Sequence, residues 1–243
     1  MSIFRHLFRK KRAKRPQTCA LDANTAAQNP LESILGQVSS VCFIGDSITA
    51  GSENGGVPWY TPIIMRHPSL LCHSFAAGGG TSSSQLKAFQ ASPVAADVYI
   101  IAVGTNDVRY RDAQKGAVCE TQFIENIQQI VTLASSLSPA ARFVFIAPWC
   151  SIPEDPIPPI SPMEKEVWMQ KYQNSLEAYC LQHEFVFINP NPSIRLIVND
   201  PILRADYLID HIHPNGAKGV YLYAAAVYHH AQHSSRPNAN TAE

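Results

Sequence analysis

The chain has 243 residues, 46% hydrophobic and 16% charged, so it can bury a substantial core and is too apolar for wholesale disorder. Its formal net charge of zero hides a split. The first sixteen residues hold seven basic side chains and no acidic one, which leaves 12 basic against 19 acidic residues, a net of −7, in the remainder. A body of that sign excludes nucleic-acid binding through its general field, although the tail alone would attract polyanions.

Residues 1–37 read as a flexible basic tail and linker, 38–233 as one domain, and 234–243 as a C-terminal tail. Ile3, Phe4, Leu7 and Phe8 fall on one side of a short basic helix suited to weak peripheral contact with an anionic membrane; a solvated tail is the simpler reading. No run approaches the roughly 20 apolar residues of a membrane span, and no apolar core of a secretory signal follows the basic start, so a cytoplasmic location is expected.

From residue 38 onward, short apolar runs alternate with helical patterns. The runs 41–44, 70–75, 98–103, 143–146 and 185–188 are rich in β-branched and aromatic residues and stop at Gly, Pro or Asn-Pro, as buried parallel strands do. Helices are expected over 58–66, 82–90, 121–137, 161–183 and 214–230, the fourth opened by the capping box Ser161-Pro162-Met163-Glu164. The stretches 150–161 and 189–209 read as loops. Strand and helix alternating in this way predict an α/β fold, a parallel sheet with helices on both faces. The six cysteines show neither C-x-x-C nor zinc spacing; Cys42, Cys72 and Cys150 lie in or at the end of apolar runs and read as buried, reduced thiols.

Ligands of open parallel sheets bind beyond the carboxyl ends of the strands. Gly45-Asp46-Ser47-Ile48-Thr49 follows the first run, Gly78-Gly79-Gly80-Thr81-Ser82 the second, and Gly104-Thr105-Asn106-Asp107 the third; Asp210-His211-Ile212-His213-Pro214 precedes the last helix. These are the parts of acyl transfer. A serine hydroxyl attacks once a neutral imidazole takes its proton, and a carboxylate holds the imidazole in the required tautomer. The Ser47 amide, the Gly79 amide and the Asn106 carboxamide are candidate donors to the oxyanion. Asp107 reads as a residue that holds its own loop. Ser47 by itself could be only a helix cap.

Taken together, the four blocks resemble those of the GDSL/SGNH hydrolase family, in family order and over about 41–230. The resemblance implies a three-layer α/β/α sandwich with five parallel strands, similar to flavodoxin. It implies Ser47 as nucleophile, His213 (by spacing, rather than His211) as base, Asp210 as its partner, and no cofactor or metal. The second block fits most loosely, so Gly78 and Gly80 stay open beside Gly79. His211 is expected to face solvent, as are His229, His230 and His233, whose i, i+4 pair lacks a third ligand. Trp59, Tyr60, Arg109, Tyr110 and Trp149 flank the motif loops, either beside the substrate or in the core. The expected activity is hydrolysis of a small-molecule or carbohydrate ester, such as an O-acetyl group. An acyltransferase, a lysophospholipase or thioesterase, and a non-catalytic binding module remain alternatives.

Overall fold

In the computed structural model, residues 29–109, 118–157 and 161–231 are described. The tail to residue 28, Tyr110, His233 and the segment 234–243 lie outside the described residues. The apolar runs become β1 (Ser40–Gly45), β2 (Leu71–Ala76), β3 (Val98–Ala102), β4 (Arg142–Ile146) and β5 (Val186–Ile188). All pairings are parallel, in the order β2-β1-β3-β4-β5. The helices are α1 (Pro30–Leu35), α2 (Ser47–Ala50), α3 (Thr61–Ile64), α4 (Ser82–Ala91), α5 (Thr105–Arg109), α6 (Glu120–Leu137), α7 (Pro162–Gln182), α8 (Asn191–Val198), α9 (Pro201–Tyr207) and α10 (Gly219–Ala231).

Alternate strand residues feed two core layers, because successive side chains point to opposite faces. Val41, Phe43, Val98, Ile100, Val144 and Ile146 meet α1, α8 and α10 on one face. Cys42, Ile44, Tyr99, Ile101, Phe143 and Phe145 meet α4, α6 and α7 on the other. This is the flavodoxin-like α/β/α sandwich that the sequence implied. Chain direction across the sheet reverses between β1 and β3, which opens a crevice at their carboxyl ends.

Several local expectations are corrected. Residues 29–35, read from sequence as linker, form a capped helix packed on the core. The Asn29 side chain accepts from the Leu31 amide at 3.0 Å and donates to Tyr228 O at 2.8 Å, and Leu31 and Leu35 are buried. A six-residue helix with polar flanks carries too little periodicity to be seen before its tertiary partner is known. Only Thr61–Ile64 of the stretch 58–66 is helical, because Trp59 enters the core and Tyr60 stacks on Phe43 at 3.6 Å between ring centroids. The stretch 189–209 holds α8 and α9, each with proline in its first turn, where a missing amide costs nothing. The last helix starts at Gly219, after a segment pinned by a Leu208–Pro214 bridge. Cys72 is exposed, since β2 is an edge strand, whereas Cys42 and Cys150 are buried as expected.

Replacing Leu31 by alanine empties a fully buried site between α1 and α10. We expect a loss of about 2–5 kcal/mol in urea unfolding, where a solvated linker would lose nothing measurable.

Candidate active site

Asp46 leaves β1 and caps α2, its carboxylate accepting from the Ile48 amide at 3.1 Å. Ser47 is therefore the first helical residue, with its amide at the helix N-terminus and its side chain almost buried. Burial raises the Asp46 pKa to about 7, against the opposing pull of the Ile48 and Thr49 amides, the Thr105 hydroxyl and the Arg109 charge.

The segment before α10 brings the other two predicted residues to Ser47. Asp210 Oδ1 accepts from the Ile212 and His213 amides, each at 2.8 Å. Its Oδ2 lies 2.7 Å from His213 Nδ1, and His213 Nε2 lies 2.8 Å from Ser47 Oγ. With the ring hydrogen on Nδ1, Nε2 is the acceptor for the serine proton. Burial works to raise the Asp210 pKa, but the His213 amide, the His213 ring and the Ile212 amide outweigh it and hold the carboxyl below its ordinary value. The loop is fixed from behind by Ile209 N donating to His213 O at 2.8 Å and Tyr223 OH donating to Ile212 O at 3.2 Å.

The glycine segment after β2 is a tight turn in which Gly80 N donates to Ala77 O at 3.0 Å. Gly79 sits third in that turn with φ +66°, the position at which a type II turn requires positive φ. Asn106, on α5, donates through Nδ2 to Gly80 O at 3.0 Å, so the glycine turn and the carboxamide share one bond. Asp107 holds the same two loops together as expected, accepting from the Ser82 amide at 3.0 and 3.1 Å and from its hydroxyl. Burial lifts its pKa to about 6 despite those bonds. Thr105 Oγ1 accepts from the Trp149 amide at 2.8 Å and ties in the loop after β4.

Two features were missed in the sequence. His211 does not simply face solvent: its Nε2 lies 2.7 Å from Arg109 Nη2, and Arg109 pairs with the buried Asp155 at 3.1 Å. The Ile152 amide donates to His211 O at 3.0 Å, so the 150s loop braces the histidine loop. Glu53, an unremarked acid in a glycine-rich loop, reaches within 4.0 Å of His213 Nε2. No local pattern marks either one, because the partners lie 46 to 160 positions apart.

Trp59 and Trp149 are fully buried and pack edge to face at 5.6 Å, which makes them core rather than a substrate platform. His230 Nε2 lies 2.9 Å from Ser193 Oγ, and among the described residues no group of three or more His, Cys, Asp or Glu could hold a metal. A separate cavity of about 300 Å³, lined in part by Cys150, Lys165 and Arg195, contains none of the predicted site residues; its Arg195 is engaged by Glu166 at 2.5 and 2.6 Å.

The model of the GDSL-like lipase/acylhydrolase family matches residues 43–217, from β1 to just beyond His213. The chain belongs to that family. Its members are esterases and lipases, and this chain is an enzyme of that kind. No curated protein matches it in sequence. Among solved structures, an acetylxylan esterase from Geobacillus stearothermophilus is similar at 18% identity and TM-score 0.60, covering 79% of this chain and 94% of its own. A member of the lipolytic G-D-S-L family from Veillonella parvula is similar at 18% identity and TM-score 0.55, covering 77% and 94%. An alpha/beta hydrolase enzyme from the metagenome of Lake Arreo, Spain, is similar at 19% identity and TM-score 0.60, covering 79% and 94%. Likeness at such identities establishes the shared fold. Among the described residues no helix is long and apolar enough to cross a membrane.

The buried Asp46 gives this site a pH signature. An unfolded aspartate ionises near 3.8 and the folded one near 7, so the native state binds the extra proton between those values and stability attributable to Asp46 falls as pH rises through that window. Asp46→Asn keeps the cap and removes the ionisation. Its melting temperature is expected to gain on wild type from pH 4 to 7 and then run parallel; a constant offset across that range would contradict the assignment.

Proposed function

We propose that the protein hydrolyses carboxylic esters of short acyl groups, such as O-acetyl on a carbohydrate, through an acyl-enzyme at Ser47. The observation that carries this reading is the unbroken chain Ser47 Oγ, His213 Nε2, His213 Nδ1, Asp210 Oδ2, at 2.8 and 2.7 Å. In the proposed reaction Ser47 Oγ attacks the ester carbon as His213 Nε2 takes its proton, and Asp210 stabilises the imidazolium that results. His213 then returns the proton to the departing alcohol. A water molecule, deprotonated by the same nitrogen, cleaves the acyl-enzyme and frees Ser47.

The Ser47 amide, the Gly79 amide and Asn106 Nδ2 are the proposed oxyanion donors. Gly80 is disfavoured because its amide is already bonded to Ala77 O, and Gly78 because it lies under the Glu53 carboxylate. Asn106 has one amide hydrogen directed to Gly80 O, which fixes the carboxamide plane and leaves its second hydrogen for the substrate.

The test is hydrolysis of p-nitrophenyl esters from acetate to palmitate. We expect an optimum at acetate, activity abolished by Ser47→Ala, and kcat lowered about 10²–10³-fold by Asn106→Ala. A folded Ser47→Ala protein that retained wild-type rates would overturn the assignment, and an optimum at palmitate would replace the short acyl group with a lipid.

A further inference from the structure

We propose that Glu53 is a specificity-determining residue that reads the alcohol half of the ester, favouring neutral hydroxyl-rich or cationic alcohols and rejecting those with phosphate or carboxylate beside the ester. The inference rests on the hydrolase reading above and names the substrate class for that same site.

The geometry follows from the job of His213. Whatever oxygen leaves must come within hydrogen-bond reach of His213 Nε2, because that nitrogen delivers its proton. Glu53 Oε2 lies 4.0 Å from the same nitrogen. An alcohol oxygen placed to receive the proton therefore lies close to a carboxylate, and the carbons attached to it extend past that carboxylate. The other carboxylate oxygen lies over the glycine turn at Gly78. It would stand 2.6 Å from a β-carbon on Gly78, so the chain passes close beneath it there.

Glu53 has been left with capacity to bind. Its Oε2 accepts from its neighbour Ser52 Oγ at 2.8 Å, and among the described residues no lysine or arginine lies within ion-pair distance of it. The side chain is 44% exposed, so it meets solvent where a substrate would arrive. A carboxylate offers only acceptors. Hydroxyl groups flanking the ester, as on a sugar ring, can donate to it, and an ammonium group gains from its charge. A phosphate or carboxylate on the alcohol meets a like charge. On this basis acetylated sugars and polyols fit the site, whereas lysophospholipids and nucleotide-bearing thioesters do not.

The experiment compares kcat/KM for three acetates of similar reactivity: phenyl acetate, its 3-trimethylammonio derivative and its 3-sulfo derivative. It uses wild type, Glu53→Gln and Glu53→Lys at low salt. Intrinsic leaving-group effects cancel when each protein's ratios to phenyl acetate are compared between proteins. Glu53→Gln is expected to shift the cation-to-anion ratio about fivefold or more toward the anion, the size expected of a half-exposed charge, and Glu53→Lys further in the same direction. Added salt should compress the wild-type ratio and leave that of Glu53→Gln nearly unchanged. Ser47-dependent cleavage with equal ratios in all three proteins overturns the role of Glu53 alone. Absence of any Ser47-dependent cleavage overturns the hydrolase reading and this inference together.

Discussion

Asp210 makes three bonds within four residues, and the rest of the site depends on them. Two backbone amides converge on Oδ1, which closes the turn that carries His213. The third bond, to Nδ1, selects the tautomer in which Nε2 is free to accept from Ser47. A free histidine would have to be ordered at each encounter. Here the ordering is done by folding, and the bridge at Leu208–Pro214 and the hydroxyl of the buried Tyr223 hold the turn from outside.

A second tier of buried polar groups sets those loops against one another. Asp107 bonds the start of α4 to the loop after β3, Thr105 bonds that loop to the one after β4, and Arg109 with Asp155 connects both to the histidine segment through His211. Each connection takes a carboxylate or hydroxyl out of water, which is unfavourable unless its hydrogen bonds are met. The raised pKa of Asp107, about 6, shows that its bonds do not fully offset burial. An apolar replacement of similar shape could pack as well, but it could not fix the separation and rotation of four loops that share no secondary structure. In return, Asn106 and the glycine turn are held in one fixed arrangement.

The same distinction explains what was legible in the sequence. β1, β3 and β4 are buried on both faces, so each is a plain apolar run, and the chemistry follows at its carboxyl end. Ser47 and Asn106 stand in short local patterns of that kind, and Asp210 and His213 in one just before the last helix. α1, α8 and α9 were not legible. α1 is too short to show a period, and proline at positions 190, 192 and 201 reads equally as a loop or a helix start. β2 misleads in another way: its run is apolar enough for a central strand, yet it lies at the edge and exposes Leu71 and Cys72. His211 and Glu53 owe their surroundings to contacts across the fold, which no window of sequence contains.

On the proposed reading, chemistry and selectivity fall to parts that differ in burial. The proposed nucleophile and oxyanion donor sit at helix starts and the proposed base in the loop before α10, and Ser47, Asn106 and His213 are each less than one-tenth exposed. Small displacements there would disrupt bonds of 2.7–2.8 Å. Glu53 stands on a glycine-flanked turn between α2 and α3, outside the core and nearly half exposed. On the proposed reading, a change of side chain at that turn alters what the incoming alcohol meets. On the same reading, acyl transfer depends on the buried groups around Ser47 and His213, and discrimination among alcohols on the exposed carboxylate of Glu53.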